Sequence, residues 1–85
     1  MTSNLFRELE KLYPGRFRHT PDRVWIQEPQ GDYKGLTVRI SPEPAGRMEQ
    51  ANMDMMKLHG WKVVHETDQY KALNICKSYV DRIRA

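Results

Sequence analysis

The segment Leu36–Ser41 constrains this chain more than any other. Leu36, Val38 and Ile40 alternate with Thr37, Arg39 and Ser41, the period-two pattern of a strand with one core face and one polar face. Turn chemistry precedes it in Pro29-Gln30-Gly31-Asp32-Tyr33-Lys34-Gly35, and Pro42 and Pro44 close it. A strand bounded so sharply needs neighbours, and the rest of the chain supplies three. Arg23–Gln27 reads as one, with Val24 and Ile26 on one face and Trp25 on the other. Arg16–His19 reads as a short one, broken by Thr20-Pro21-Asp22. Trp61–Glu66 reads as the fourth, with Val63 and Val64 at its centre.

Three helical patterns separate and flank these strands. Leu5, Phe6, Leu9, Leu12 and Tyr13 form one stripe, with Ser3 as the expected N-cap and Pro14-Gly15 as the stop. In the second, Ala45–His59, the stripe expected to fill the core is Met48, Ala51, Met55 and Leu58, widened by Met53 and Met56, and Gly60 ends it. The methionines also suit an adaptable binding surface. Thr67-Asp68 caps the last helix, where Leu73, Cys76, Val80 and Ile83 lie beside Ala72, Ile75 and Tyr79 in a broad apolar face. The order α-β-β-β-α-β-α predicts an α/β fold. Three strands form a meander, and a helical crossover leads to a fourth, parallel strand in a mixed sheet flanked by helices.

Eighty-five residues are enough for one such domain, spanning 1–85. No apolar run approaches the ~18 residues of a membrane span. Met1–Gly15 carries charge where a secretion signal needs an apolar stretch, so a cytoplasmic protein is expected. The single cysteine, Cys76, makes no intrachain disulfide. His19, His59 and His65 lack metal-ligand spacing, so no structural zinc is expected. The net charge of +3 is compatible with nucleic acid. Lys11, Arg16, Arg18 and Arg23, with Tyr13 and His19 interleaved, read equally as a phosphate-tracking surface or a solvated basic face. Trp25 and Trp61 read as packing anchors or as stacking platforms.

Four stretches in order carry a resemblance. Thr20-Pro21-Asp22-Arg23-Val24 opens a strand with Pro-Asp-Arg, and Gly31–Leu36 places a glycine turn before the central strand. Arg47-Met48-Glu49-Gln50 places a glutamine near the start of the next helix. Leu58-His59-Gly60-Trp61-Lys62-Val63-Val64 is followed by a helix bearing Ala72, Ile75 and Tyr79. Together they resemble the VRR-Nuc family of the PD-(D/E)xK nuclease superfamily, whose small stand-alone members are often phage proteins. The resemblance implies a restriction-endonuclease-like αβββαβα fold. It also implies metal-dependent cleavage by an aspartate at the strand opening, a glutamate on the central strand and a lysine two residues on, on the same face. The carboxylates of such a site hold Mg²⁺ or Mn²⁺, which activates water and neutralises the phosphate.

Residue by residue, Asp22 falls on that aspartate and Gln50 on the helix glutamine. The family's central strand reads approximately G-L-x-x-E-x-K; here it is Gly35-Leu36-Thr37-Val38-Arg39-Ile40-Ser41. Arg39 therefore replaces the glutamate and Ser41 the lysine. A guanidinium has no lone pair for a metal, and at about 4 Å it repels each unit of metal charge by ~4 kcal/mol at an effective dielectric near 20. The expectation is an Asp22–Arg39 ion pair in the cation's place. Two ways of keeping a live site stay open: the literal D-x-K of Asp32-Tyr33-Lys34, and a migrated carboxylate from Glu8, Glu28 or Glu49.

The resulting expectation is a catalytically degenerate nuclease-fold protein with no cofactor. It acts by binding DNA through Arg16, Arg18, Arg23, Lys34 and Arg39, or by binding a host or viral protein. One alternative is an active structure-selective endonuclease, with Asp22 ligating Mg²⁺ or Mn²⁺. Another is a phage-encoded interaction module or inhibitor of a host protein. The resemblance also implies a homodimer.

Overall fold

The structure is a computed structural model and describes residues 2–84. The elements run α1 (Ser3–Leu12), β1 (Arg18–Thr20), β2 (Arg23–Ile26), β3 (Gly35–Arg39), α2 (Arg47–Leu58), β4 (Trp61–His65) and α3 (Gln69–Arg84). They build a four-stranded mixed sheet in the order β1-β2-β3-β4. The first two pairings are antiparallel and β3–β4 is parallel. This is the expected α/β, restriction-endonuclease-like layout of a mixed sheet with helices.

Register decides which side chains share a face. Val24 lies opposite Val38 and Ile26 opposite Leu36, while Leu36 and Val38 lie beside Lys62 and Val64 of β4. On this face Val24, Ile26, Leu36, Val38 and Ile40 join Leu5, Leu9, Tyr13 and Phe17 from the N-terminal segment and Ala72, Cys76, Tyr79 and Val80 from α3 in one buried cluster. Burial of the Cys76 thiol pushes its pKa up to about 12, which leaves it an inert packing group. Tyr79 anchors its phenol by donating to the Glu28 carbonyl at 2.9 Å.

The helix ends follow local chemistry, with one exception. Gly15 and Gly60 adopt φ of +76° and +90°, the left-handed geometry that ends α1 and α2. Asp68 caps α3, its Oδ1 accepting from the Tyr70 and Lys71 amides. The expected Ser3 cap is absent, because Ser3 is already helical. Thr2 precedes it, and its buried hydroxyl instead donates to the Thr20 carbonyl at 2.5 Å, tying α1 to β1.

Two expectations about burial fail. Every residue of β3 is buried, Thr37 and Arg39 included, so the strand has no solvated face. In α2 the stripe of Met48, Ala51, Met55 and Leu58 is exposed, and no residue of the helix is buried. Met48 and Leu58 are 81% and 86% exposed. Glu49, Met53 and Met56 are the half-covered positions instead. The inward side carries Glu49, which pairs with Arg23 and lies near Arg39, a partner for the sheet's charges that the outer row of Met48, Ala51, Met55 and Leu58 could not supply.

Candidate functional site

Of the positions singled out by the resemblance, Arg39 lies on the second face of the sheet. Arg23 lies opposite Arg39, Trp25 opposite Thr37, and Thr37 and Arg39 beside Val63 and His65. Period-two alternation sends these side chains away from the α1/α3 core. Parts of this face and of α2 enclose an open cleft of about 480 Å³, lined by Thr20, Asp22, Arg23, Trp25, Gln27, Thr37, Glu49, Met56 and Trp61.

Asp22 sits in the turn between β1 and β2. Its carboxylate accepts from Arg23 at 3.1 and 3.2 Å and from the Thr20 hydroxyl at 3.0 Å. The Arg23 bond holds its pKa below the ordinary carboxylate value; desolvation opposes the shift, and Thr20 and the more distant Arg39 charge assist it. Arg23 also reaches both Glu49 oxygens, at 3.0 and 2.9 Å. One guanidinium therefore holds both acidic groups at the mouth of the cleft.

The expected direct Asp22–Arg39 pair is not formed. Arg39, 8% exposed, donates from Nη1 to the Glu43 carbonyl at 3.0 Å and lies 3.1 Å from His65 Nε2. Its Nε stands 3.9 Å from a Glu49 oxygen and makes no hydrogen bond. The Asp22 carboxylate goes to the adjacent Arg23, whose reach is shorter, and α2 supplies Glu49 to balance the buried Arg39. Ser41 turns its hydroxyl toward its own loop, where Oγ accepts the Glu43 amide at 3.2 Å. Gln50 is exposed and bonded to Asp54 at 3.0 Å, outside the cleft.

Of the three carboxylates weighed as migrants, Glu49 alone reaches the site. Glu28 is held by Arg16, which lowers its pKa, and Glu8 pairs with Lys11 on α1. Asp32-Tyr33-Lys34 lies on an exposed tight turn closed by paired hydrogen bonds between Gln30 and Tyr33, each 2.9 Å, and lines no part of the cleft. Among the described residues no group of three or more His, Cys, Asp or Glu side chains is arranged to hold a metal.

The basic residues named for nucleic acid divide. Arg16 and Arg23 are ion-paired, and Arg39 is buried. Arg18 and Lys34 are exposed and have no ion-pair partner among the described residues. Arg18 lies opposite Trp25 in the β1–β2 register, so it borders the cleft face. Sequence reasoning named Trp25, Trp61 and, among the helix methionines, Met56 as candidate contacts, but not Gln27 or Thr37. The polar partners of a β-strand alternation were the available signal for Gln27 and Thr37.

No family model, curated protein or solved structure matches the chain. Among the described residues, no helix is long and apolar enough to cross a membrane.

Proposed function

We propose that this chain is a catalytically degenerate member of the PD-(D/E)xK nuclease fold, related to the VRR-Nuc family, that acts by binding DNA rather than cutting it. The observation carrying the reading is Arg39. A buried cation stands at the end of β3, at the position where the resembled enzymes place a carboxylate, and the nearest acids are already engaged by Arg23. A divalent cation there would meet Coulomb repulsion from two guanidinium groups and would compete with formed ion pairs. Binding is supported by the sheet face left open beside α2, where exposed Arg18 borders half-buried Trp25 and the Gln27 amide. A cation beside an aromatic ring is the pairing that single-stranded nucleic acid uses.

The test is a cleavage and binding assay on flap and junction DNA. With Mn²⁺ the protein is expected to leave the DNA intact and to bind it with an affinity that falls steeply with salt. The double substitution Arg39→Glu/Ser41→Lys is expected to acquire a Mn²⁺-dependent rise in melting temperature, because a ligand bound only by the folded state stabilises it. Cleavage by the unmodified protein, abolished by Asp22→Ala, would overturn the reading.

A second reading, a protein-interaction module, is favoured by the exposed row of Met48, Ala51, Met55 and Leu58 on α2. Their spacing is that of a helix seam, and methionine suits adaptable contact. A partner held there would bind with little salt dependence and be lost on Leu58→Glu.

A further inference from the structure

The cleft beside Arg23 has a second character that its charges obscure. The Trp61 indole lies against the strand at Gly35. A Cβ on Gly35 would stand 2.5 Å from a Trp61 ring atom and 2.5 Å from the Ile26 carbonyl, so only glycine leaves the ring its place. Trp25 projects from the same face opposite Thr37, and Met56 of α2 adds a thioether. Both indoles are half-buried, so each keeps part of its surface open to the cleft.

Between them the polar groups are unsatisfied. Thr37 is only 5% exposed, and its hydroxyl has no hydrogen-bond partner among the described residues although it lines the cleft. The Gln27 amide lines the same space, exposed and equally without a partner. A hydroxyl that lines a cleft without a protein partner is available to a ligand. Hydroxyl and amide each donate and accept, matching the mixed edge of a heterocycle. Arg18 pairs with Trp25 across β1–β2 and lines the adjoining cavity that Trp25 and Gln27 share, where its guanidinium can meet a phosphate.

We infer that this cleft is a stacking pocket for one unpaired nucleobase. The base lies against the indoles of Trp25 and Trp61, its edge meets Thr37 and Gln27, and its phosphate meets Arg18. The volume of about 480 Å³ is in the range of small-ligand sites. The inference rests on the DNA-binding reading for its natural source, an unpaired base in a strand. A free nucleotide presents the same chemistry and is distinguished below.

The chain's two tryptophans both line the pocket, so tryptophan emission reports on it. Titration with single-stranded DNA, the matching duplex and a deoxynucleoside monophosphate, alongside anisotropy of labelled DNA, forms the test. Saturable quenching by the single strand, much weaker with the duplex, is expected. Trp25→Ala is expected to weaken it roughly 5- to 100-fold, the range for one stacked base. Trp25→Phe is expected to recover part of that loss. Thr37→Val keeps the β-branched shape and is expected to weaken binding about 3- to 10-fold through one lost hydrogen bond. Quenching by the mononucleotide as tight as by the strand supports the pocket and assigns it a free nucleotide. DNA binding by anisotropy with no fluorescence change, and no effect of Thr37→Val, overturns the pocket while leaving the DNA reading intact. Mononucleotide quenching without DNA binding does the reverse, and absence of both overturns both.

Discussion

The two faces of one four-stranded sheet are built on different terms. On the α1/α3 side, Val24 and Ile26 of β2, Leu36 and Val38 of β3 and Ile40 just beyond it join a shared buried cluster. On the α2 side the same strands present Arg23, Trp25, Thr37 and Arg39, and the helix above them buries none of its own residues. The first face gains stability from apolar burial, which is non-directional and tolerant of small shifts. The second is held by ion pairs and hydrogen bonds whose net worth is small but whose geometry is demanding. An apolar, densely packed face and a polar, partly open face thus share a backbone, and a substitution should report which one it touches.

The largest contrast is expected from truncating the core. Phe17→Ala, at a position 1% exposed, should cost about 3–5 kcal/mol in urea unfolding. A cost under ~1 kcal/mol would show that the first face does not carry the stability. Gly35→Ala tests the seam between the faces. Its Cβ would collide with the Ile26 carbonyl and the Trp61 ring, so a loss of about 1–3 kcal/mol is expected, together with a shifted tryptophan emission maximum. Unchanged emission would mean that Trp61 does not rest on that strand.

Acid should weaken the protein more modestly. Asp22 and Glu28 have folded pKa values depressed by Arg23 and Arg16, respectively. Their stabilisation is present above the unfolded carboxylate values near 4 and is lost as pH falls through the lower folded values. Both pairs are partly solvated, so each is worth no more than about 1 kcal/mol. Urea midpoints should therefore drop between pH 5 and 3 (roughly), and less in Glu28→Gln; an equal drop in that variant would remove the Arg16–Glu28 pair from the account. The smallest effect is expected on α2's outer row. Leu58→Glu should change stability by less than about 0.5 kcal/mol, and a loss above ~2 kcal/mol would place Leu58 in a buried contact.

Much of the fold was legible locally. The Leu36-Val38-Ile40 and Val24-Ile26 alternations gave both strands their core face, Gly15 and Gly60 marked helix ends, and Asp68 marked a start. The strand limits moved by a few residues, as with β1, which runs Arg18–Thr20 rather than Arg16–His19. The site was less legible. The expected direct pairing of Asp22 with Arg39 did not follow, because neither the reach of Arg23 nor the arrival of Glu49 from α2 is written in strand periodicity.

By itself, then, the sequence determined the order of elements and the apolar side of each central strand, and it put Arg39 and Ser41 at the polar positions that follow Thr37 in the central strand's alternation. Those depend on backbone sterics and on spacing between near neighbours. Only the tertiary structure decided that α2 turns Glu49 inward and its methionine row outward, and that Trp25, Thr37 and Trp61 line one cleft. A helix pattern shows that an apolar side exists but not which surface meets it. The contacts that accompany that choice, Glu49 with Arg23 and near Arg39, act through space rather than along the chain.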